Sequence, residues 1–245
     1  MTNVSAAIRH KSLSEKLRDI NWSAAEAELD ARGYAVLKGL LSQAQCAAAA
    51  SLYQEAARFR KTIDMGRYNF GQGEYKYFSY PLPDGVAELR AAFYAPLSAL
   101  ANRWNAAMGM EARYPANHAE FLRHCRAAGQ NRPTPLMLCY GPGDYNCLHQ
   151  DLYGDMFFPF QAVFLLSAPQ QDFTGGEFVL TEQRPRMQSR PYVVPLAQGD
   201  AVIFPVRYRP VQGGRGVYRV AMRHGVSQVL SGQRQTLGII FHDAQ

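Results

Sequence analysis

The chain has 245 residues, of which 47% are hydrophobic and 19% charged, with 26 Lys+Arg against 20 Asp+Glu for a formal charge of +6. That length suits one large domain with an ample core, the apolar content excludes a disordered tail, and no apolar run approaches the ~18 residues a membrane-spanning helix needs. Four cysteines (Cys46, Cys125, Cys139, Cys147) form no CxxC pair, which argues against a disulfide framework and a zinc ribbon. The start, MTNVSAAIRHKSLSEKLRDI, is too charged to hold a leader's apolar core, so the expected location is cytoplasmic.

In chain order, apolar residues first recur at three and four, and capping signals mark the starts. Ser23 with Glu26, Ser42 with Gln45, and Asn117 with Glu120 each place a capping side chain three residues ahead of an acid or amide. Helices are expected over about 24–32, 43–57, 85–109 and 118–128, with a candidate strand at 34–37. The stretch 58–83 holds too many Gly, Pro and polar aromatic residues for a helix and reads as a long loop, a feature that is usually functional or wrongly assigned. From Pro133 onward the texture changes to short β-branched and aromatic runs between Gly, Pro, Asp and Gln. Eight strands are expected, at 135–140, 145–149, 160–166, 176–180, 191–195, 200–204, 218–227 and 234–241. The expected fold is α+β: a double-stranded β-helix (jelly-roll, cupin-like) core of eight strands with an N-terminal helical layer. Residues 1–132 form the helical support region and 133–245 the jelly-roll core, together one structural domain.

The chemistry starts at His149-Gln150-Asp151, at the end of the second expected strand. Positions i and i+2 of a strand face the same way, so an imidazole and a carboxylate can converge there on one ion. His224 supplies a third ligand. Two histidines and one carboxylate form a facial triad with open coordination positions, the arrangement of non-haem Fe(II) oxygenases. Ten residues after His224 comes Arg234, followed at i+2 by Thr236. The guanidinium is a planar fork suited to a carboxylate, and the hydroxyl lies on the same strand face. A strand otherwise made of Leu237, Ile239 and Ile240 places that guanidinium inside, where it needs a partner. Three competitors read as structural. His118 and Glu120 are about 200° apart on a helix and cannot chelate one ion, so they read as solvated helix surface plus a cap. His242 and Asp243 diverge on a strand, and Cys147 reads as a core or supporting cysteine without zinc spacing.

This pattern resembles the 2-oxoglutarate and Fe(II)-dependent dioxygenases. The likeness extends to Tyr140 nine residues before the first ligand, to Gly175-Gly176-Glu177-Phe178, and to Gly199-Asp200 with Phe204. The runs TPLMLCYGPGDYNCLHQDLYGD, DFTGGEFVLTEQRPRMQSRP and RHGVSQVLSGQRQTLGIIFHDA resemble a bacterial branch described as oxygenases acting on damaged nucleic acid. The resemblance implies an oxidoreductase in which His149, Asp151 and His224 are the catalytic metal ligands for Fe(II). It implies 2-oxoglutarate as co-substrate, its distal carboxylate on Arg234 and Thr236, with O2 as oxidant and ascorbate as a candidate reductant. Tyr140 reads either as a further hydrogen bond to 2-oxoglutarate or as a packed core tyrosine. The implied reaction couples decarboxylation of 2-oxoglutarate to succinate and CO2 with hydroxylation of a substrate.

Two basic regions bear on that substrate. Segment 58–80 holds five basic residues and seven aromatics, which can stack bases and hold phosphates of single-stranded or flipped-base nucleic acid. Segment 184–223 holds eight arginines against the single acid Asp200, a net +7, while the remaining 18 basic and 19 acidic residues net −1. These arginines lead to the distal His, so some are expected to rim the iron pocket and favour an anionic substrate. Three functions stand at this stage. The first is oxidative demethylation of damaged, alkylated nucleic acid. The second is protein side-chain or small-molecule hydroxylation, which the Tyr140-Gly141-Pro142-Gly143 turn also resembles in prolyl hydroxylases. The third is a non-enzymatic cupin-like ligand-binding module.

Overall fold

The computed structural model describes residues 11–245; the first ten residues of the charged start lie outside them. Before the jelly roll come α1 (Leu13–Arg18), α2 (Trp22–Arg32), β1 (Ala35–Leu37), α3 (Gln43–Ser51), β2 (Phe59–Asp64), β3 (Gly71–Gln72), β4 (Glu74–Phe78), α4 (Asp84–Ala107) and α5 (His118–Ala127). Then follow β5 (Leu136–Tyr140), β6 (Tyr145–His149), β7 (Phe160–Leu165), β8 (Phe173–Gly175), β9 (Phe178–Gln183), β10 (Arg190–Val194), β11 (Ala201–Pro205), β12 (Tyr208–Gly213), β13 (Gly216–Val226), β14 (Val229–Gly232) and β15 (Arg234–Ile240). The major sheet has the order β1-β11-β7-β15-β5-β4-β2, and the facing sheet β10-β9-β13-β6-β3 with β12 paired to β13. This antiparallel double sheet with helices on one side is the expected jelly roll.

The helix starts follow their capping chemistry. Ser42 and Gln45 form a reciprocal capping box on α3, and Asn117 accepts from the Ala119 and Glu120 amides on α5. Ser23 does not cap: α2 starts earlier because Asn21 accepts from the Ala24 amide. A further short helix, α1, is capped by Ser12 with Glu15. The α3 helix stops at Ser51 rather than 57, and the chain continues in two single 3₁₀ turns.

The stretch 58–83 is not a loop. β2 pairs with β4, β4 pairs with β5, and β3 pairs with β6, so this stretch lengthens both sheets. Two of its polar residues, Glu74 and Lys76, find their partner in Tyr53. The Tyr53 hydroxyl donates to Glu74 Oε1 at 2.6 Å, and Lys76 Nζ stands 3.9 Å from the Tyr53 ring centroid. Tyr75 and Tyr77, on the other face of β4, pack with Leu136 and Ile240. The major sheet therefore draws strands from both sides of position 132.

β7 shows how the sheet is covered. All six of its residues are buried. Phe160, Ala162 and Phe164 pack into the helical layer, where Trp104 meets Phe160 at 4.8 Å and Phe93 meets Phe164 at 5.7 Å between centroids. Gln161, Val163 and Leu165 alternate toward the other sheet. The C-terminus is clamped to α4 by a buried ion pair, Arg90 Nη2 to Asp243 Oδ1 at 2.8 Å, with Arg90 also donating to the Ile240 and His242 carbonyls. His242 and Asp243 are thus structural, as expected.

Candidate active site

β6 and β13 lie side by side, with His224 directly opposite His149 and a register shift just after it. Gly225 makes that approach possible: a Cβ there would stand 2.6 Å from the Asn146 carbonyl oxygen. Asp151, just beyond β6, completes the set. His149 Nε2 is 3.4 Å from Asp151 Oδ1, and His224 Nε2 is 3.3 Å from Asp151 Oδ2. The three donor atoms all lie within 4.8 Å of one another, the one such cluster of His, Cys, Asp and Glu among the described residues.

Hydrogen bonds orient this set. His149 Nδ1 lies 2.8 Å from the Cys147 carbonyl oxygen. A carbonyl only accepts, so Nδ1 carries the proton and Nε2 presents its lone pair to the cluster. Cys147 therefore acts through its backbone, and the residue is exposed rather than core. The Tyr153 hydroxyl donates to Asp151 Oδ1 at 2.6 Å. Electrostatics point the same way. Burial works against the Asp151 charge, yet the two imidazoles outweigh it and hold the carboxyl well below its usual range. Burial lowers His149, but the adjacent carboxylate prevails and raises it; His224 is lowered by burial and by the charge of His149. A buried carboxylate that gathers two imidazoles around itself is a donor set matched to a divalent cation.

Arg234 opens β15, opposite Tyr140 across the ladder. It is 2% exposed, and its Nε and Nη1 have no hydrogen-bond partner among the described residues. Burial pushes its pKa down to about 10. The guanidinium lies 5.6 Å from the Tyr140 ring and 5.9 Å from the Phe173 ring. Gly176 makes its room: a Cβ at that residue, φ +63°, would stand 2.8 Å from Arg234 Cδ. The Tyr140 hydroxyl accepts from Asn146 Nδ2 at 3.3 Å, and Thr236 is buried on the same face as Arg234. All six expected site residues line one cavity of about 310 Å³ between the sheets.

Phe70 and Tyr75, two of the seven aromatics of segment 58–80, line the cavity as well, and so do three residues not expected there: Asn146, Tyr153 and Gln161. Two had a legible signal, since Tyr153 stands two positions beyond Asp151 and Gln161 is the lone polar residue of FQAVFL. By contrast, none of the eight arginines of 184–223 lines the cavity. Arg184 and Arg209 both pair with Glu182, Arg219 donates to the Met108 carbonyl, and Arg190 covers Tyr192. The alternation of β13 explains Arg223: if His224 points in, its neighbour points out. His118 also differs from expectation, because its Nε2 donates to the Phe241 carbonyl at 2.8 Å and its ring packs on Tyr94.

A sequence profile of the family described as "Oxygenase, catalysing oxidative methylation of damaged DNA" matches residues 73–244. The chain belongs to this oxygenase family. Two uncharacterised proteins of Mycobacterium tuberculosis, from strains CDC 1551 / Oshkosh and ATCC 25618 / H37Rv, are each 45% identical over 194 residues, 78% of this chain and 83% of theirs. Among solved structures, an oxidoreductase of the 2OG-Fe(II) oxygenase family from Burkholderia pseudomallei superposes with TM-score 0.54 at 15% identity, covering 91% of each chain. A prolyl-4-hydroxylase from Pseudomonas putida gives 0.51 at 15% identity, over 91% of this chain and all of the other. At such identity these two show the fold. Family membership makes this chain an oxygenase, and its His-Asp-His cluster is a donor set that can hold a metal ion. No helix among the described residues is long and apolar enough to cross a membrane.

Proposed function

We propose that His149, Asp151 and His224 hold Fe(II), that Arg234, Thr236 and Tyr140 hold the distal carboxylate of 2-oxoglutarate, and that the substrate is an alkylated base in damaged nucleic acid. The observation that carries this reading is Arg234. A fully buried guanidinium with two unpartnered nitrogens is costly, and a carboxylate is the partner that its planar fork fits. With Fe(II) and 2-oxoglutarate bound, O2 oxidises the substrate while 2-oxoglutarate leaves as succinate and CO2. The residues of this chain orient and enclose. The Cys147 carbonyl fixes the His149 tautomer, Tyr153 holds one oxygen of Asp151, and the apolar wall of Leu136, Leu138 and Val163 keeps bulk water from the centre. No protein general base is required.

The base reading is supported by the family description and by the cavity mouth. Tyr68 and Phe70 stack at 5.6 Å and 19° while remaining 51% and 48% exposed, and Phe70 lines the cavity. Exposed aromatic faces beside a deep cavity suit an unstacked base. Hydroxylation of an N-methyl group on such a base releases formaldehyde and restores the amine. The four cysteines are all unpaired, which agrees with a cytoplasmic enzyme.

Anaerobic titration of the Fe(II)-loaded protein with 2-oxoglutarate tests the site: the metal-to-ligand absorption band forms in wild type, and Arg234→Ala weakens 2-oxoglutarate by roughly ten- to a hundredfold. An Arg234→Ala protein that binds 2-oxoglutarate normally overturns the assignment. For the substrate, methylated single-stranded oligonucleotides yield formaldehyde, and binding weakens as salt rises. Formaldehyde-free oxidation of a peptide or metabolite favours the hydroxylase alternative.

A further inference from the structure

The cavity holds a second orphaned polar group whose demand is opposite to that of Arg234. Gln161 is 3% exposed, sits in β7 between Phe160 and Ala162, and lines the cavity together with Asp151, Tyr153 and His224. Its Oε1 is buried without a hydrogen-bond partner among the described residues. An apolar side chain is what the rest of β7 uses at buried positions. An amide left unpaired in such a strand is destabilising, so its presence calls for a ligand group.

The chemistry of the two orphans separates their ligands. Arg234 is donor-only and needs an acceptor, which a carboxylate provides. The Gln161 oxygen is an acceptor and needs an N–H or O–H donor. 2-Oxoglutarate at neutral pH is a dianion with acceptors only, so it cannot satisfy Gln161. Gln161 and Arg234 also stand far apart along the sheet: Arg234 faces Tyr140, whereas Gln161 faces Ile240 on β15 and Phe204 on β11. The primary substrate is the ligand that can bring such a donor to this end of the cavity.

We infer that Gln161 is a specificity-determining residue that reads the hydrogen-bonding edge of the substrate, accepting from an exocyclic amine of the base. This rests on the base reading above. A carboxamide presents a donor and an acceptor in one plane, the pairing by which Gln recognises the amine-bearing edge of adenine. The site therefore prefers N-methylated bases that carry an exocyclic amine over equally methylated bases with a carbonyl in its place.

The test uses anaerobic Fe(II)- and 2-oxoglutarate-loaded enzyme, in which binding is read without turnover, and fluorescein-labelled single-stranded oligodeoxynucleotides carrying one N-methylated adenine or one N-methylated hypoxanthine. Wild type binds the adenine probe about tenfold more tightly. Gln161→Leu loses that preference while its 2-oxoglutarate titration stays at the wild-type value and its thermal midpoint does not fall, and Gln161→Glu, which keeps an acceptor, retains it. Unchanged discrimination in Gln161→Leu overturns the assignment and means that water alone satisfies the amide. A weakened 2-oxoglutarate titration with discrimination intact also overturns it, making Gln161 a co-substrate contact. Failure of wild type to bind either probe overturns the base reading itself and this inference with it.

Discussion

His224 and His149 face each other across the β6–β13 ladder with their imidazole centroids 4.2 Å apart. Strand pairing, not a loop, therefore sets their separation. His224→Ala or His149→Ala should reduce succinate formation to the uncatalysed background, and Asp151→Ala likewise. Normal turnover in any of the three refutes the metal assignment.

Tyr153 is a positioning residue for Asp151. Its hydroxyl occupies Asp151 Oδ1, and its ring lies edge-on to Tyr77 at 6.2 Å. Tyr153→Phe keeps the packing and removes only the hydrogen bond. Supporting partners of this type are worth roughly 10- to 100-fold in metal affinity. Isothermal titration with Fe(II) under anaerobic conditions should show that loss, with the thermal midpoint nearly unchanged.

Gly176 leaves the space that Arg234 fills. Gly176→Ala places a Cβ at positive φ against Arg234 Cδ and 2.9 Å from Val229 Cγ2. The strain should cost on the order of 1–3 kcal/mol in stability, measured by urea unfolding. Displacement of the guanidinium should also raise the 2-oxoglutarate dissociation constant. Intact affinity in a destabilised Gly176→Ala protein shows that Arg234 adjusts freely.

Acid should destabilise the metal-free protein through half-buried His118 and buried His242. Burial and the Arg90 charge hold His118 down to about 4 and His242 to about 3. The unfolded chain takes up protons below about 6.5 while the folded protein does not, so stability falls as pH drops from there toward the folded values. At pH 5 the pair accounts for on the order of 4 kcal/mol. His242 Nδ1 accepts from the Phe158 amide at 3.1 Å, and the carboxamide introduced by His242→Asn offers an oxygen for the same bond without titrating. Urea unfolding at pH 7 and pH 5 should show about 2 kcal/mol of the acid loss removed in that variant. An identical loss in both proteins rules out His242 as a source.

Much of the site was legible because its logic is local. His149 and Asp151 lie two apart at a strand end, and Arg234 and Thr236 lie two apart in a strand, so period-two alternation alone puts each pair on one face. The segment 58–83 was not legible for the opposite reason. Glu74 and Lys76 look like solvated residues until Tyr53, twenty or more positions earlier, supplies their partner.

The sequence by itself determined the double-sheet class, the His-Asp-His donor set and the buried arginine of β15, because strand periodicity and side-chain chemistry act within a few residues. Tertiary structure decided where the positive charge points and what the cavity asks for. Composition concentrated the arginines before His224, yet Glu182, Met108 and the outward face of β13 keep them off the cavity wall. Only packing against Ile240 and Phe204 leaves Gln161 buried without a partner, because a hydrogen bond unmade depends on every neighbour at once.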